Sequence, residues 1–102
     1  MTYRVDLLPA VRAALDRLKA TDPAGAGVIA DAFAELADDP RIGQVLNQAH
    51  ALYVLHRSRL DPLTRRKLGY QITYRIHDEH LVVAVVTAAA VPRPSRRRPD
   101  RR

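Results

Sequence analysis

Thr2-Tyr3-Arg4-Val5-Asp6-Leu7 alternates apolar with polar side chains and is rich in β-prone residues, so the chain opens with a predicted strand. The period then lengthens. Behind Pro9, which suits a first helical position, Val11, Ala14, Leu15 and Leu18 form one stripe of an amphipathic helix. Thr21-Asp22-Pro23 ends that helix and starts another, with Asp22 placed to cap it. Gly25 and Gly27 weaken the second start by roughly 1 kcal/mol each relative to Ala. Ile29, Ala32, Phe33 and Leu36 continue the stripe until Asp39-Pro40 closes it. A connection as short as residues 20–23 admits only an antiparallel helical hairpin.

Residues 41–51 read as a connection, after which the period falls to two. Leu52 to Arg57 is a predicted strand. In Tyr70-Gln71-Ile72-Thr73-Tyr74-Arg75-Ile76, residues 70, 72, 74 and 76 share an apolar face, and Gln71, Thr73 and Arg75 share the other. His77-Asp78-Glu79-His80 is a polar turn. Leu81 to Val86, extended by Ala88 to Val91, is apolar without alternation, which predicts a strand covered on both faces. The expected architecture is α+β, in the order β-α-α-β-β-β, with the helical hairpin packed on an antiparallel C-terminal meander. Residues 1–91 form the expected domain, and the Arg- and Pro-rich segment 92–102 is expected to be disordered.

At 102 residues the chain supports one core. No apolar run is long enough to cross a membrane, and the charged start is unlike an export signal; a cytoplasmic location is expected. With no cysteine, disulfides, thiolate metal sites and a cysteine nucleophile are excluded. Charge changes the picture most. Residues 1–51 carry −2, 52–75 carry +5, 76–92 carry −2 and 93–102 carry +5. Two positive blocks attract phosphate backbones and acidic proteins alike. Fifteen of the 17 basic residues are Arg, which suits forked phosphate contacts, although a compositional bias towards Ala, Arg and Asp produces the same count.

Specific strings carry a resemblance. Tyr3-Arg4-Val5 leads into a Pro-started helix, and the second helix closes on Asp38-Asp39-Pro40-Arg41-Ile42-Gly43. Leu52-Tyr53-Val54-Leu55 follows, then Gly69-Tyr70-Gln71-Ile72-Thr73-Tyr74-Arg75-Ile76-His77-Asp78-Glu79 and the run to Val86. In this order, over residues 2 to about 91, they resemble the RelE/ParE superfamily of toxins from type II toxin–antitoxin pairs. The resemblance implies a cognate antitoxin partner that wraps the toxin. It also implies one of two targets: the ribosome and its mRNA, which RelE-like members cleave, or DNA gyrase, which ParE-like members inhibit without hydrolysis. A decayed toxin retained as an antitoxin-binding co-repressor is the third reading.

RNA cleavage without a metal needs a proton acceptor for the ribose 2′-hydroxyl, stabilisation of phosphorane charge and help for the leaving oxygen. The resemblance implies basic residues on the strand before the central hairpin, an Arg after the Gly-Tyr pair, and an Arg and a Tyr after the last strand. Here Val54 and His56 hold the first two positions, Gln71 follows Gly69-Tyr70, Val91 stands near the later Arg with Arg93 two residues on, and no Tyr follows Tyr74. The candidate catalytic set is therefore His56, Gln71, Arg75 and Arg93, with His56 as base because imidazole titrates near neutrality. By strand parity His56, Gln71 and Arg75 share a face, with Arg57 and Arg93 near it; as bland alternatives, His56 and Gln71 are solvated strand positions.

Residues 58–68 read as an inserted flap made basic by Arg57, Arg59, Arg65, Arg66 and Lys67. With Arg96, Arg97 and Arg98 of the tail, these are the candidate nucleic-acid contacts, suited to phosphates rather than bases because few aromatics are free to stack. An exposed, merely solvated insertion is the alternative. His77 and His80 flank a turn with Asp78 and Glu79, but a hairpin turn does not by itself converge ligands on one ion, so no metal and no cofactor is expected.

Overall fold

A computed structural model describes residues 2–91. Strand β1 (Arg4–Leu7) leads into α1 (Pro9–Thr21) and α2 (Pro23–Asp38), and a 3-10 turn (Pro40–Ile42) follows. Strands β2 (Gln44–Asn47), β3 (Leu52–Leu60) and β4 (Lys67–His77), a second 3-10 turn (Asp78–His80) and β5 (Val82–Val91) complete the fold. The sheet order is β1-β5-β4-β3-β2, antiparallel except for the parallel β1–β5 pair. This is the expected α+β arrangement with one added strand.

β2 lies in the segment expected to be a connection. All four of its residues are exposed and it pairs only with β3, across a register shift between Val45 and Asn47. A short edge strand that buries neither face leaves no alternation to read. The flap expectation is also corrected. β3 runs on to Leu60 and β4 starts at Lys67, so most of the supposed insertion is one long two-stranded ladder. Only residues 61–66 form the loop. Asp61 organises it, accepting from Leu63 N (3.2 Å) and from the Thr64 hydroxyl (2.7 Å), while Arg65 takes a left-handed φ of 61°.

The hairpin of helices covers one face. Val11 and the α2 stripe Ile29, Ala32 and Leu36 meet Leu55 of β3, Tyr70, Ile72, Tyr74 and Ile76 of β4, and Val83, Val85 and Ala88 of β5. The prediction that β5 is covered on both faces fails: Val83 and Val85 are buried, but Val82, Ala84 and Val86, which alternate with them, are only half-buried. β5 lies between β4 and β1, so neighbouring strands shade these small side chains, and no second layer lies over them among the described residues.

Two tyrosines of β4 hold the N-cap of α2 and the 3-10 turn that follows the helix. The Tyr70 hydroxyl donates to Asp22 Oδ2 at 2.6 Å, and Asp22 is the N-cap that accepts from Gly25 N at 2.9 Å. Tyr74, wholly buried, donates to the Pro40 carbonyl at 2.7 Å and accepts from Gly43 N at 3.2 Å. Gly25 is required by this arrangement rather than being a weakness. A Cβ there would stand 2.2 Å from the Asp22 carboxylate and 2.4 Å from the Tyr70 hydroxyl, whereas one at Gly27 meets nothing within 4 Å.

Candidate nucleic-acid interface

Alternation along β4 sends Tyr70, Ile72, Tyr74 and Ile76 to the helices and leaves Lys67, Gly69, Gln71, Thr73, Arg75 and His77 on the uncovered face. Cross-strand partners share a face, so β3 adds Leu52, Val54, His56, Ser58 and Leu60 to it. β5 adds Val82, Ala84, Thr87, Ala89 and Val91, and β1 adds Arg4 and Asp6. The result is a polar ridge along β4 beside a trough of small residues. Asp6 is the one carboxylate among these residues, and Arg4 holds it with Nε at 2.9 Å and Nη2 at 3.0 Å.

The structure brings together three of the four candidate catalytic residues, but not at one point. His56 and Gln71 stand directly opposite each other, His56 exposed and Gln71 half-buried. Arg75 shares their face yet lies four residues along β4 from Gln71, about 13 Å away. Lys67 lies equally far in the other direction. The His56–Gln71 pair is thus the midpoint between two cations on one ridge, an arrangement that no strand-parity argument conveyed without the register and the true start of β4. Arg93, Arg96, Arg97 and Arg98 lie outside the described residues.

The remaining candidates divide by face. Arg57 was expected near the His56 face but pairs across from Tyr70, on the helix side, where its guanidinium meets Glu35 of α2. Arg59 was expected in a flap but is also on the helix side of β3. Its Nη2 contacts Asp22 Oδ1 at 2.7 Å and its Nε contacts the Tyr70 hydroxyl at 3.0 Å, with both charged side chains about one-fifth exposed. The Tyr70 hydroxyl, with help from Gly25 N and Arg59, holds the Asp22 carboxyl below the usual carboxylate range against the opposing effect of burial. Burial, and then Asp22, pushes the Tyr70 phenol up. Arg57 and Arg59 therefore spend their charge on α2. Arg65 and Arg66 are exposed in the loop at the far end of the ladder, beside Lys67. The signal for this division was present in part: Glu35 is about one turn from the end of α2, and Asp22 is a cap residue, but neither names its cation.

At the opposite end of the uncovered face, Arg4, His77, His80 and Val82 line an open cleft of about 480 Å3. The turn that carries His80 is anchored by Asp78, which accepts from the Tyr3 hydroxyl at 2.6 Å and pairs with Arg41. Arg41 and Tyr3 hold the Asp78 carboxyl below the usual carboxylate range. Sequence reasoning left His77 and His80 as turn residues and did not bring Arg4 to them. Among the described residues, no three His, Asp or Glu side chains converge as a metal site, and no helix is long and apolar enough to cross a membrane.

No protein-family profile matches the chain, and no curated protein matches it. Solved structures do. The isolated E. coli RelE toxin superposes with a TM-score of 0.66 at 20% identity, over 90% of this chain and 87% of that one. The RelBE2 toxin–antitoxin complex of Mycobacterium tuberculosis gives 0.66 at 22% identity, over 89% and 93%. The intact E. coli RelBE toxin–antitoxin complex gives 0.61 at 19% identity, over 89% and 99%. The chain has the RelE toxin fold across its described domain.

Proposed function

We propose that the protein is the toxin of a toxin–antitoxin pair and that it acts as a RelE-like, ribosome-dependent mRNA endonuclease without a cofactor. The RelE fold supports the toxin assignment. The observation that carries the RNA reading is the uncovered ridge Lys67-Gln71-Arg75 with His56 opposite its midpoint. A strand laid along β4 has phosphates drawn to Lys67 and Arg75, which position it without reading sequence. His56 then takes the proton from a ribose 2′-hydroxyl. The 2′-oxygen attacks the adjacent phosphorus, the bond from phosphorus to the 5′-oxygen breaks, and that oxygen takes up a proton from water, leaving a 2′,3′-cyclic phosphate and a 5′-hydroxyl. Gln71 donates an amide N–H to the phosphorane, a weaker stabiliser than the Arg expected there. Arg65, Arg66 and the arginines of residues 93–102 add to the attraction for the polyanion. A cognate antitoxin is the partner and the cytoplasm the location.

One observation favours a second reading. Among the described residues no cation stands beside His56 on its face, and Val54 and Gln71 fill positions where the resemblance implies basic residues. A ParE-like inhibitor of gyrase, which needs no hydrolytic groups, fits those residues. Controlled expression separates the two. An mRNA endonuclease halts protein synthesis and leaves cut transcripts on ribosomes, and His56→Ala abolishes the cutting. A DNA-damage response with intact transcripts would overturn the RNA reading in favour of gyrase, and the absence of any growth effect would leave the co-repressor role.

A further inference from the structure

We propose that the cleft formed by Arg4, His77 and His80 is a second phosphate-binding site, distinct from the His56–Gln71 pair and at one end of the same face. Register makes the site. Arg4, Val82 and His77 are neighbours on three adjacent strands, so Arg4 and His77 rise about 10 Å apart on either side of a Val82 floor. His80 enters from the 3-10 turn, and Leu81, in a left-handed conformation with φ 52°, turns the chain back into β5. A backbone bond from Arg4 N to the Leu81 carbonyl at 2.8 Å ties β1 to that turn.

The donor set selects an anion. Asp6 takes Nε and Nη2 of Arg4 and so fixes the guanidinium, leaving its Nη1 edge for a ligand. Asp78, in the turn that carries His80, is engaged by Tyr3 and Arg41, and the lining residues Arg4, His77, His80 and Val82 include no acid. Glu79 is exposed between the two histidines and is not part of the lining. A cation is disfavoured by Arg4, and the three nitrogen-bearing side chains offer donors to an anion. A cleft of about 480 Å3 is roomy enough for a phosphate with an attached sugar. His77 lies six residues along β4 from Gln71, about 20 Å, so an RNA strand on the ridge reaches the cleft several nucleotides from His56. A free mononucleotide is the other source of the same chemistry. The RNA source rests on the function proposed above, while the phosphate site itself does not.

The test is an NMR titration of the full chain, following the imidazole resonances of His56, His77 and His80. Inorganic phosphate, with chloride at matched ionic strength as control, is expected to shift His77 and His80 saturably and leave His56 unmoved. Arg4→Gln and the double variant His77→Gln/His80→Gln are expected to weaken phosphate at least tenfold; all three positions are exposed, and circular dichroism checks that the fold is kept. A ten-nucleotide RNA is expected to shift all three imidazoles in the wild type and to bind the double variant several-fold more weakly. If phosphate binds at the cleft but RNA shifts none of the three imidazoles, the site serves a free phosphate compound and the RNA reading falls. If RNA shifts His56 alone and phosphate produces no saturable change, the cleft proposal falls and the RNA reading stands. Phosphate binding that survives both variants also overturns the site.

Discussion

Replacing Asp22 by Ala removes three things at once: the N-cap of α2, the acceptor of the Tyr70 hydroxyl and the partner of Arg59. Loss of an Asp cap costs about 1 kcal/mol. An unpaired Arg59 costs more than a surface pair, worth roughly 0–1 kcal/mol, and less than a fully buried one at about 3–5, because both side chains retain about one-fifth of their exposure. The Tyr70 hydroxyl adds about 1 kcal/mol. These contacts share one carboxylate and do not simply add, so the expected loss is about 3 kcal/mol. Equilibrium urea unfolding, followed by far-ultraviolet circular dichroism and tyrosine fluorescence, reads this directly. With a slope of about 1–1.5 kcal/mol per molar urea the midpoint falls by roughly 2–3 M. Asp22→Asn keeps an efficient cap and loses only the charge, so it is expected to fall by less than half as much. The pH dependence has a definite sign. The Asp22 carboxyl is held low in the folded state, so the unfolded chain binds the extra proton first. The stabilisation is complete above the unfolded carboxylate pKa of about 3.9 and is lost as pH falls through the lower folded value. The gap between wild type and Asp22→Asn is therefore expected to be full at pH 7 and to close at acid pH. A loss under about 1 kcal/mol for Asp22→Ala, or a gap indifferent to acid, would refute the reasoning.

Other perturbations follow from the same contacts. Gly27→Ala is expected to raise stability by about 1 kcal/mol, and Gly25→Ala to lower it despite the identical change in helix propensity; urea midpoints moving together would contradict the close approach at Gly25. Tyr74→Phe leaves the Pro40 carbonyl and Gly43 amide without their buried partner and is expected to cost about 1–3 kcal/mol, read in the same assay. Lys67→Gln and Arg75→Gln are each expected to reduce the slope of log affinity for single-stranded RNA against log salt by about 0.7, while Arg59→Gln leaves that slope nearly unchanged. Filter-binding measurements at several salt concentrations distinguish them.

The local elements were legible because burial leaves a period. Val11 to Leu18, Ile29 to Leu36 and Tyr70 to Ile76 each present one apolar face, and every one of those faces meets the core. The Asp22-Pro23 cap and the Asp39-Pro40 stop act within one turn of the chain, so they too could be read locally. The parity that sets Gln71 and Arg75 opposite Tyr70 and Tyr74 needs only the pleat of a single strand.

What tertiary structure decided is everything that depends on which strand lies beside which. β2 buries nothing, and its existence rests on pairing with β3. The basic stretch at residues 57–67 divides because alternate residues of a ladder face opposite ways: Arg57 and Arg59 go to carboxylates of α2, and Lys67 goes to the open ridge. Arg4 and His77 are 73 positions apart in the chain and become neighbours of one residue, Val82, through the parallel β1–β5 pair. A sequence fixes the period of each segment through local sterics and burial, but register and partner are properties of the assembled sheet, and the candidate sites are made of register.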